Sequence, residues 1–131
     1  MIVIDSSAWI EHLRESGSTT DLAVKALLDE RADIAVTEVV VMEVLAGARR
    51  LRETSFFLGG FRMVSLRGVT DYEHAAALYR TCRAAGETIR KLTDCLVAVP
   101  TIRAGATLLH ADRDFEVLAR HTPLRLEPLP G

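Results

Sequence analysis

Short apolar runs alternate along the chain with longer segments in which apolar and polar residues are mixed. The runs are typical of short β-strands, and they lie at residues 2–4, 33–36, 62–66, 106–110 and 124–126. The mixed segments contain capping residues and apolar stripes at helical spacing, which predict helices. The predicted helices lie at about 8–13, from 19 or 20 to 29, 38–58, 71–85, from 94 onward, and 115–120.

Two of the predicted helices have features that bear on their length. The helix that begins near Glu38 is predicted to run to about Leu58, where Gly59 and Gly60 close it. The helix that Thr93 caps contains Pro100, which lacks an N–H and clashes with the carbonyl of Leu96. We therefore expect a kink or an early end at Pro100.

The order of strands and helices defines the fold class. Strands that alternate with helices imply right-handed βαβ crossovers and a parallel sheet covered by helices on both faces. The sequence therefore predicts an α/β protein: a three-layer α/β/α arrangement with a central parallel sheet of four to five strands, forming a single domain over residues 1–131. Ligands of such sheets bind outside the carboxyl ends of the strands.

Composition narrows the class of protein further. The chain has 131 residues, of which 49% are hydrophobic, so it can bury a core without disulfides, and Cys82 and Cys95 are expected to be buried thiols. The formal charge of -2 gives no overall basic field for nucleic acid. Because no charged leader is present and no apolar run approaches the ~20 residues of a membrane span, we expect a cytoplasmic protein without membrane contact.

Five acidic residues stand where the predicted sheet would bind a ligand. Asp5 follows the first strand, Asp112 and Asp114 follow the fourth, Glu43 lies among small and apolar neighbours on its helix, and Asp94 opens an apolar helix. Each has a simpler interpretation alone, because a carboxylate can cap a helix, form a turn or pair with an arginine. Together the five carboxylates would repel one another unless a cation were bound between them. Because no Cys or His lies at the spacing of zinc ligands, this set of oxygen ligands favours Mg²⁺ or Mn²⁺.

Four segments in order resemble the PIN-domain family, and most closely its VapC-type toxin ribonucleases. They are IDSSA at 4–8, EVLAGAR at 43–49, GETI at 86–89 leading to TDCLVA at 93–98, and ATLLHADRDF at 106–115. The resemblance covers nearly the whole chain. It implies an endoribonuclease that cleaves structured or single-stranded cellular RNA with a metal-activated water, a cognate VapB-type antitoxin that holds it inactive, and a homodimer.

The resemblance also assigns roles to the acidic residues. Asp5, Glu43, Asp94 and Asp112 match the family's catalytic quartet, and Asp114 matches a further acid found in many members, which is expected to be a metal ligand as well. The implied cofactor is Mg²⁺, for which Mn²⁺ can substitute. We expect Asp5 and Asp94 to bind the metal directly, whereas Glu43 and Asp112 could bind it directly, through water, or act as the base.

Basic and hydroxyl residues near the acids are the candidates for substrate binding. Arg49 follows Glu43 on the chain, Arg90 and Lys91 precede Asp94, and all three could contact RNA phosphates. Thr93 and either Ser6 or Ser7 could contact a metal-bound water or a phosphate oxygen. The simpler interpretation of the basic residues is a solvated helix end, and that of the hydroxyls is helix capping.

Two other function classes are compatible with the pattern. Receiver domains also place acids at strand ends and bind Mg²⁺, but they need a lysine after a late strand, and neither Lys25 nor Lys91 follows one. A catalytically silent module that only binds an antitoxin or RNA is the second. Outside the five acids the chain has 13 acidic and 16 basic residues, so the small negative net charge conceals a basic remainder. RNA affinity is therefore expected to depend on metal as well as on salt.

Overall fold

Five strands form a parallel sheet in the centre of the molecule. The computed structural model describes residues 1–129; Pro130 and Gly131, the end of the predicted domain, lie outside the described residues. The strands are β1 (Ile2–Ile4), β2 (Ile34–Val36), β3 (Arg62–Met63), β4 (Thr107–Leu109) and β5 (Arg125–Leu126). Their order is β3-β2-β1-β4-β5, and every neighbouring pair is parallel. The predicted parallel sheet is confirmed.

Seven helices flank this sheet within residues 1–129. They are α1 (Ser6–Leu13), α2 (Thr19–Asp29), α3 (Glu38–Ala46), α4 (Leu51–Leu58), α5 (Gly68–Ala84), α6 (Leu92–Arg103) and α7 (Asp114–His121). The three-layer α/β/α prediction is therefore confirmed. None of these helices has the length and apolar character needed to span a membrane.

The central strands are buried on both faces. Val3 and Ile4 of β1 and Leu108 and Leu109 of β4 have no exposed surface, because helices cover the sheet from both sides. A strand of this kind is apolar throughout rather than alternating, which is why these runs were recognisable in the sequence. The backbone N–H of Asp5 donates to the carbonyl of Leu109 at 2.9 Å, so the pairing of β1 with β4 continues to the first acidic residue.

The single helix predicted from Glu38 to Leu58 is wrong, because the structure contains two helices there. The first ends at Ala46, where the N–H of Gly47 bonds back to Val44 at 3.3 Å, and Arg50 has left the helical conformation with φ -120° and ψ 84°. Glycine is a poor helix former, so the chain can turn at this point at little cost. The new direction of α4 brings the Phe57 ring onto Trp9, with 5.5 Å between ring centroids.

Of the kink or early end predicted at Pro100, the early end is wrong, and the kink stays a prediction. Helix α6 runs through the buried Pro100 to Arg103, and the carbonyl of Pro100 accepts from the N–H of Ala104 at 3.0 Å. Proline removes only one backbone hydrogen bond, and the core around this helix compensates for its loss. The helix also begins at Leu92, so Thr93 lies inside the first turn and is not the N-cap. Likewise α5 begins at Gly68, before its predicted start near Asp71.

Thr37 links the sheet to the helix that bears Glu43, and its replacement tests that link. Its buried side chain accepts from the N–H of Val40 at 3.4 Å as the N-cap of α3. We expect Thr37→Ala to lower the free energy of unfolding by about 1 kcal/mol, because the helix loses this acceptor. Urea denaturation followed by circular dichroism measures the change. Thr37→Ser, which keeps the oxygen, is the control, and equal losses in both variants would contradict the capping role.

Candidate functional site

The five predicted acids meet at the carboxyl edge of the sheet. Asp5 follows β1, Asp112 and Asp114 follow β4, Asp94 lies in the first turn of α6, and Glu43 lies on α3. The strands β1 and β4 are direct neighbours, so the residues after them are brought together although they are more than one hundred positions apart in sequence. The sheet thus supplies the geometry on which the site depends.

Asp5 is held in place by its own helix start. Its Oδ2 accepts from the N–H of Ser7 at 3.0 Å and from the Ser7 hydroxyl at 2.6 Å, as the N-cap of α1. The Ser7 oxygen in turn accepts from the N–H of Ala111 at 2.9 Å, which ties the start of α1 to the segment after β4. The other oxygen, Asp5 Oδ1, is buried and has no hydrogen-bond partner among residues 1–129.

Three further carboxylates lie next to one another. One oxygen each from Asp94, Asp112 and Asp114 falls within 4.8 Å of the others. Asp94 is 2% exposed, and its Oδ2 lacks a hydrogen-bond partner in the described part of the chain. A buried carboxylate oxygen without a partner is costly, so a ligand is expected to satisfy it.

Burial and neighbouring charges shift the pKa values of this group in different directions. Burial raises the pKa of Asp94 to about 7, with the negative charges of Asp5 and Asp112 adding to the effect. Burial also raises the pKa of Asp5. Asp112 differs: burial alone would raise its pKa, but hydrogen bonds from the Asp114 N–H and from Lys91 outweigh burial and lower it. The site thus combines two carboxylates whose pKa values are raised with one whose pKa is lowered.

Glu43 joins the site through a serine. The Ser6 hydroxyl donates to Glu43 Oε1 at 2.9 Å, across 37 positions of sequence. Burial raises the pKa of Glu43, while the bond from Ser6 partly opposes that shift. The structure therefore gives Ser6 a contact with an acidic side chain, and the cap of α1 is Asp5 rather than a serine.

Two basic side chains form ion pairs with the acids. Arg90 Nε lies 3.1 Å from Asp114 Oδ1 and Arg90 NH2 lies 3.2 Å from Asp112 Oδ1, while Lys91 Nζ lies 3.2 Å from Asp112 Oδ2. Hydrogen bonding to Asp112 raises the pKa of Lys91. Both basic side chains are more than half exposed, so they connect the buried acids with the surface.

Two residues border the site close to Asp112, although the sequence offers no reason to assign them a role there. His110 Nδ1 accepts from the N–H of Asp112 at 3.1 Å, and its ring lies 5.5 Å from that of Phe115. The exposed Arg113 lines an opening together with Arg90, Lys91 and Asp112. The only signal in the sequence was their position next to Asp112, which does not reveal the direction of a side chain.

Arg49 and Thr93, two predicted substrate contacts, are not brought into direct contact with the acids. Arg49 is exposed in the connection between α3 and α4, where it lines a groove with Arg14, Arg50 and Val44. Within residues 1–129, none of the five acids lines this groove. Thr93 is half-buried in the first turn of α6, one position before Asp94.

The donor set fits a hard divalent cation. The side chains that meet here offer carboxylate oxygens, two of which, Asp5 Oδ1 and Asp94 Oδ2, are buried and unpartnered in the described residues. Cys95 is buried with a pKa raised to about 12, so it is a poor source of the thiolate that softer metals prefer. The site can therefore hold a divalent metal through oxygen ligands.

Comparison with known proteins identifies the same family that the sequence resembles. The model of the PIN domain matches residues 2–121. A Mycobacterium bovis protein named VapC ribonuclease Mb1587 is 41% identical over 129 residues, covering 95% of this chain and 96% of that protein. Ribonuclease VapC11 of Mycobacterium tuberculosis is similar to the same extent, with the same coverage of both chains.

Solved structures share the fold at low sequence identity. VapBC2 from Rickettsia felis, bound to a DNA fragment from its promoter, matches with a TM-score of 0.69 and 18% identity over 97% of this chain and 98% of that one. The Mycobacterium tuberculosis toxin VapC20, described as cleaving the sarcin-ricin loop, matches with a TM-score of 0.64 and 14% identity over 95% of this chain and 99% of that one.

Proposed function

The chain belongs to the PIN domain family, and we propose that it is a divalent-metal-dependent endoribonuclease that acts as the toxin of a toxin–antitoxin pair. The observation that supports this most strongly is the pair of buried, unpartnered oxygens, Asp5 Oδ1 and Asp94 Oδ2, at the carboxyl edge of the sheet. Relatives that are 41% identical over nearly their whole length are named ribonucleases, so the same reaction is proposed here.

The proposed cofactor is Mg²⁺, with Mn²⁺ as a substitute. Asp5 and Asp94 would hold it directly, with Asp112 and Glu43 as further ligands or as water-mediated ones. When bound, the cation would lower the pKa of a water molecule and stabilise the negative charge that develops on the attacked phosphate. Oxygen ligands alone suit these ions, which bind carboxylates in preference to softer donors.

The serines orient the acids for this task. Ser7 fixes one oxygen of Asp5 and leaves the other, which has no partner in the described residues, available to a ligand. Ser6 fixes one oxygen of Glu43, whose raised pKa suits it to accept the proton of an attacking water. Attack by water does not need the RNA 2′-OH, so the proposed products carry 5′-phosphate and 3′-hydroxyl ends.

The exposed cations are the proposed contacts for RNA. Arg90 and Lys91 border the acids and are more than half exposed, so they can reach phosphates on either side of the cleaved bond. Ser6, Thr93 and Arg49 are proposed as additional contacts with the substrate. Lys91 is close enough to Asp112 that its position depends on what that carboxylate binds.

We further propose a VapB-type antitoxin as the partner, located with the toxin in the cytoplasm, and a homodimer as the state of the free protein. The similarity to proteins named VapC and the fold shared with VapBC2 support the antitoxin partner. Light scattering on the purified chain tests the dimer, and a monomer at micromolar concentration would contradict it.

RNA cleavage with and without metal tests the enzymatic proposal. Purified protein is incubated with cellular RNA in Mg²⁺ or Mn²⁺, in EDTA, and as the Asp5→Asn variant. We expect new 5′-phosphate ends with either metal, and none with EDTA or with the variant. Undiminished cleavage in EDTA or by Asp5→Asn would contradict the mechanism.

A modified substrate distinguishes attack by water from attack by the 2′-OH. Mapping of 5′ ends after brief induction in cells identifies the cleavage site, and a synthetic RNA with one 2′-deoxynucleotide at that site is then compared with the unmodified RNA. We expect both to be cleaved at similar rates. Metal binding without cleavage of any RNA would instead favour a catalytically silent binding module.

A further inference from the structure

Arg90 contacts two of the acids through three separate groups. Its backbone N–H donates to Asp114 Oδ2 at 2.9 Å, its Nε to Asp114 Oδ1 at 3.1 Å, and its NH2 to Asp112 Oδ1 at 3.2 Å. Both oxygens of Asp114 are therefore engaged by Arg90, although this carboxylate is only 3% exposed. A planar guanidinium that bridges two carboxylates fixes their orientation as well as their charge.

Asp114 differs in this respect from the other buried acids of the site. Asp5 and Asp94 each present a buried oxygen without a partner in the described residues, whereas Asp114 presents none. Asp114 lies within 4.8 Å of Asp94 and Asp112, but proximity alone does not make it a ligand, since its oxygens are already bound. The Asp114 carboxylate instead anchors Arg90, because it binds both the backbone N–H and the guanidinium of that residue.

Asp112 is held on its two sides by contacts of different kinds. Its Oδ1 accepts from Arg90 NH2 and from the backbone N–H of Asp114 at 3.0 Å. The Arg90 side chain is itself held by Asp114, so both donors have fixed positions. Its Oδ2 lies 3.2 Å from Lys91 Nζ, an ammonium at the end of a flexible and largely exposed side chain. Asp112 Oδ1 is thus held in place, whereas Oδ2 is paired with the Lys91 ammonium, which can move away.

We propose that Arg90 is a positioning residue that, anchored by Asp114, orients Asp112 for the metal, and that Lys91 is a counter-ion that covers Asp112 until a divalent cation displaces it. The inference rests on the metal site of the proposed function and revises the role of Asp114, which was predicted as a ligand. Two adjacent cations therefore have opposite effects: Arg90 supports metal binding and Lys91 competes with it.

Electrostatics alone makes a different prediction. Any positive charge beside the site repels a divalent cation, so removal of either cation would strengthen metal binding if charge were its only effect. Orientation of a ligand acts in the opposite direction, because residues that support metal ligands typically contribute 10–100-fold to affinity. Whether loss of Arg90 weakens or strengthens metal binding therefore distinguishes a positioning role from a purely electrostatic one.

Mn²⁺ titration by calorimetry, on protein without RNA at pH 8, measures the direction of this change. We expect Arg90→Gln to bind Mn²⁺ about tenfold more weakly than wild type, and Lys91→Gln to bind it about fivefold more tightly. Arg113→Gln is the matched control: Arg113 lines the same opening, and within residues 1–129 its side chain makes no hydrogen bond or ion pair with the acids. It should bind Mn²⁺ no more weakly than wild type. Equal or tighter binding by Arg90→Gln would overturn the positioning role, and weaker binding by Lys91→Gln would overturn the counter-ion role.

A double mutant tests whether Asp114 acts through Arg90. Asp114→Asn and Arg90→Gln remove the same contact, so we expect the double variant to bind Mn²⁺ no more weakly than the weaker single variant. Losses that add would mean that Asp114 binds the cation itself, which would overturn its role as an anchor. If Arg90→Gln does not fold, as judged by circular dichroism, Arg90→Lys replaces it, since lysine keeps the charge but lacks the planar fork.

The outcomes separate this inference from the proposed function. A wild-type protein that binds Mn²⁺ but cleaves no RNA would reject the nuclease proposal, while the comparison at Arg90 and Lys91 would still decide the inference. A wild-type protein that binds no Mn²⁺ under these conditions would overturn the inference directly. For active protein, Arg90→Gln should also raise the Mn²⁺ concentration needed for half-maximal cleavage, an effect that saturating Mn²⁺ reverses.

Discussion

Replacement of Asp94 by asparagine is expected to reduce RNA cleavage by at least about a hundredfold without unfolding the protein. Loss of a residue that only supports a metal ligand costs about 10–100-fold in affinity or activity, and loss of a direct ligand should cost no less. Asp94 is 2% exposed and has an unpartnered oxygen, so its charge is costly to bury when no cation is bound. Asparagine keeps the volume and removes that charge, so the fold should be retained.

Single-turnover cleavage of the mapped RNA in Mg²⁺ measures this effect, together with Mn²⁺ titration in the absence of RNA. Asp33→Asn is the matched control, since it makes the same chemical change at an exposed residue just before β2, at the opposite edge of the sheet from the acids. The control should cleave at the wild-type rate. An Asp94→Asn variant that cleaves within tenfold of wild type would exclude Asp94 as a ligand needed for the reaction.

The metal-free protein is expected to lose stability as the pH rises from about 4 to about 8. The pKa of Asp94 is raised to about 7 in the folded protein, against 3.8 for an unperturbed aspartate. The folded state therefore binds a proton that the unfolded state has released over this range. This contribution to stability is complete below pH 3.8 and disappears as the pH rises through 7. The largest loss that this shift allows is about 4 kcal/mol.

Urea denaturation at a series of pH values in EDTA measures this slope. We expect Asp94→Asn to be less sensitive to pH than wild type and more stable than wild type at pH 8. Saturating Mg²⁺ should also reduce the slope for wild type, because a cation that binds only the folded protein stabilises it and compensates the ionised carboxylate. Identical slopes for wild type and Asp94→Asn would contradict the raised pKa.

The positions of the acids were predictable because they depend on the backbone alone. Asp5 and Asp112 follow apolar runs that are typical of buried strands, and residues after neighbouring parallel strands share one edge of a sheet. Asp94 and Glu43 were recognisable as acids within apolar helical segments. The sequence did not specify that β1 and β4 are neighbours, although the convergence of the acids required an arrangement of that kind.

The contacts between side chains were not predictable in the same way. Arg90 and Lys91 were expected near the site as contacts for RNA. Their positions in the sequence do not indicate that Arg90 pairs with Asp114 and Lys91 with Asp112. The break between α3 and α4 was missed because Gly47 is tolerated within many helices, and the packing of Phe57 on Trp9 that accompanies the turn is a tertiary contact. Pro100 shows the converse, since the surrounding core overrides a local preference.

The strand order has a consequence for the time at which the site can form during synthesis. The first strand made, β1, lies in the middle of the sheet and pairs on one side with residues 107–109. A chain growing on the ribosome therefore contains Asp5 long before it contains the partner strand, Asp112 and the anchor for Arg90, which are complete only when residues 107–114 have been added. A pairing of such wide sequence separation forms more slowly than local contacts. A protein that degrades the RNA of its own cell would thus lack its active centre until residues 107–114 have left the ribosome.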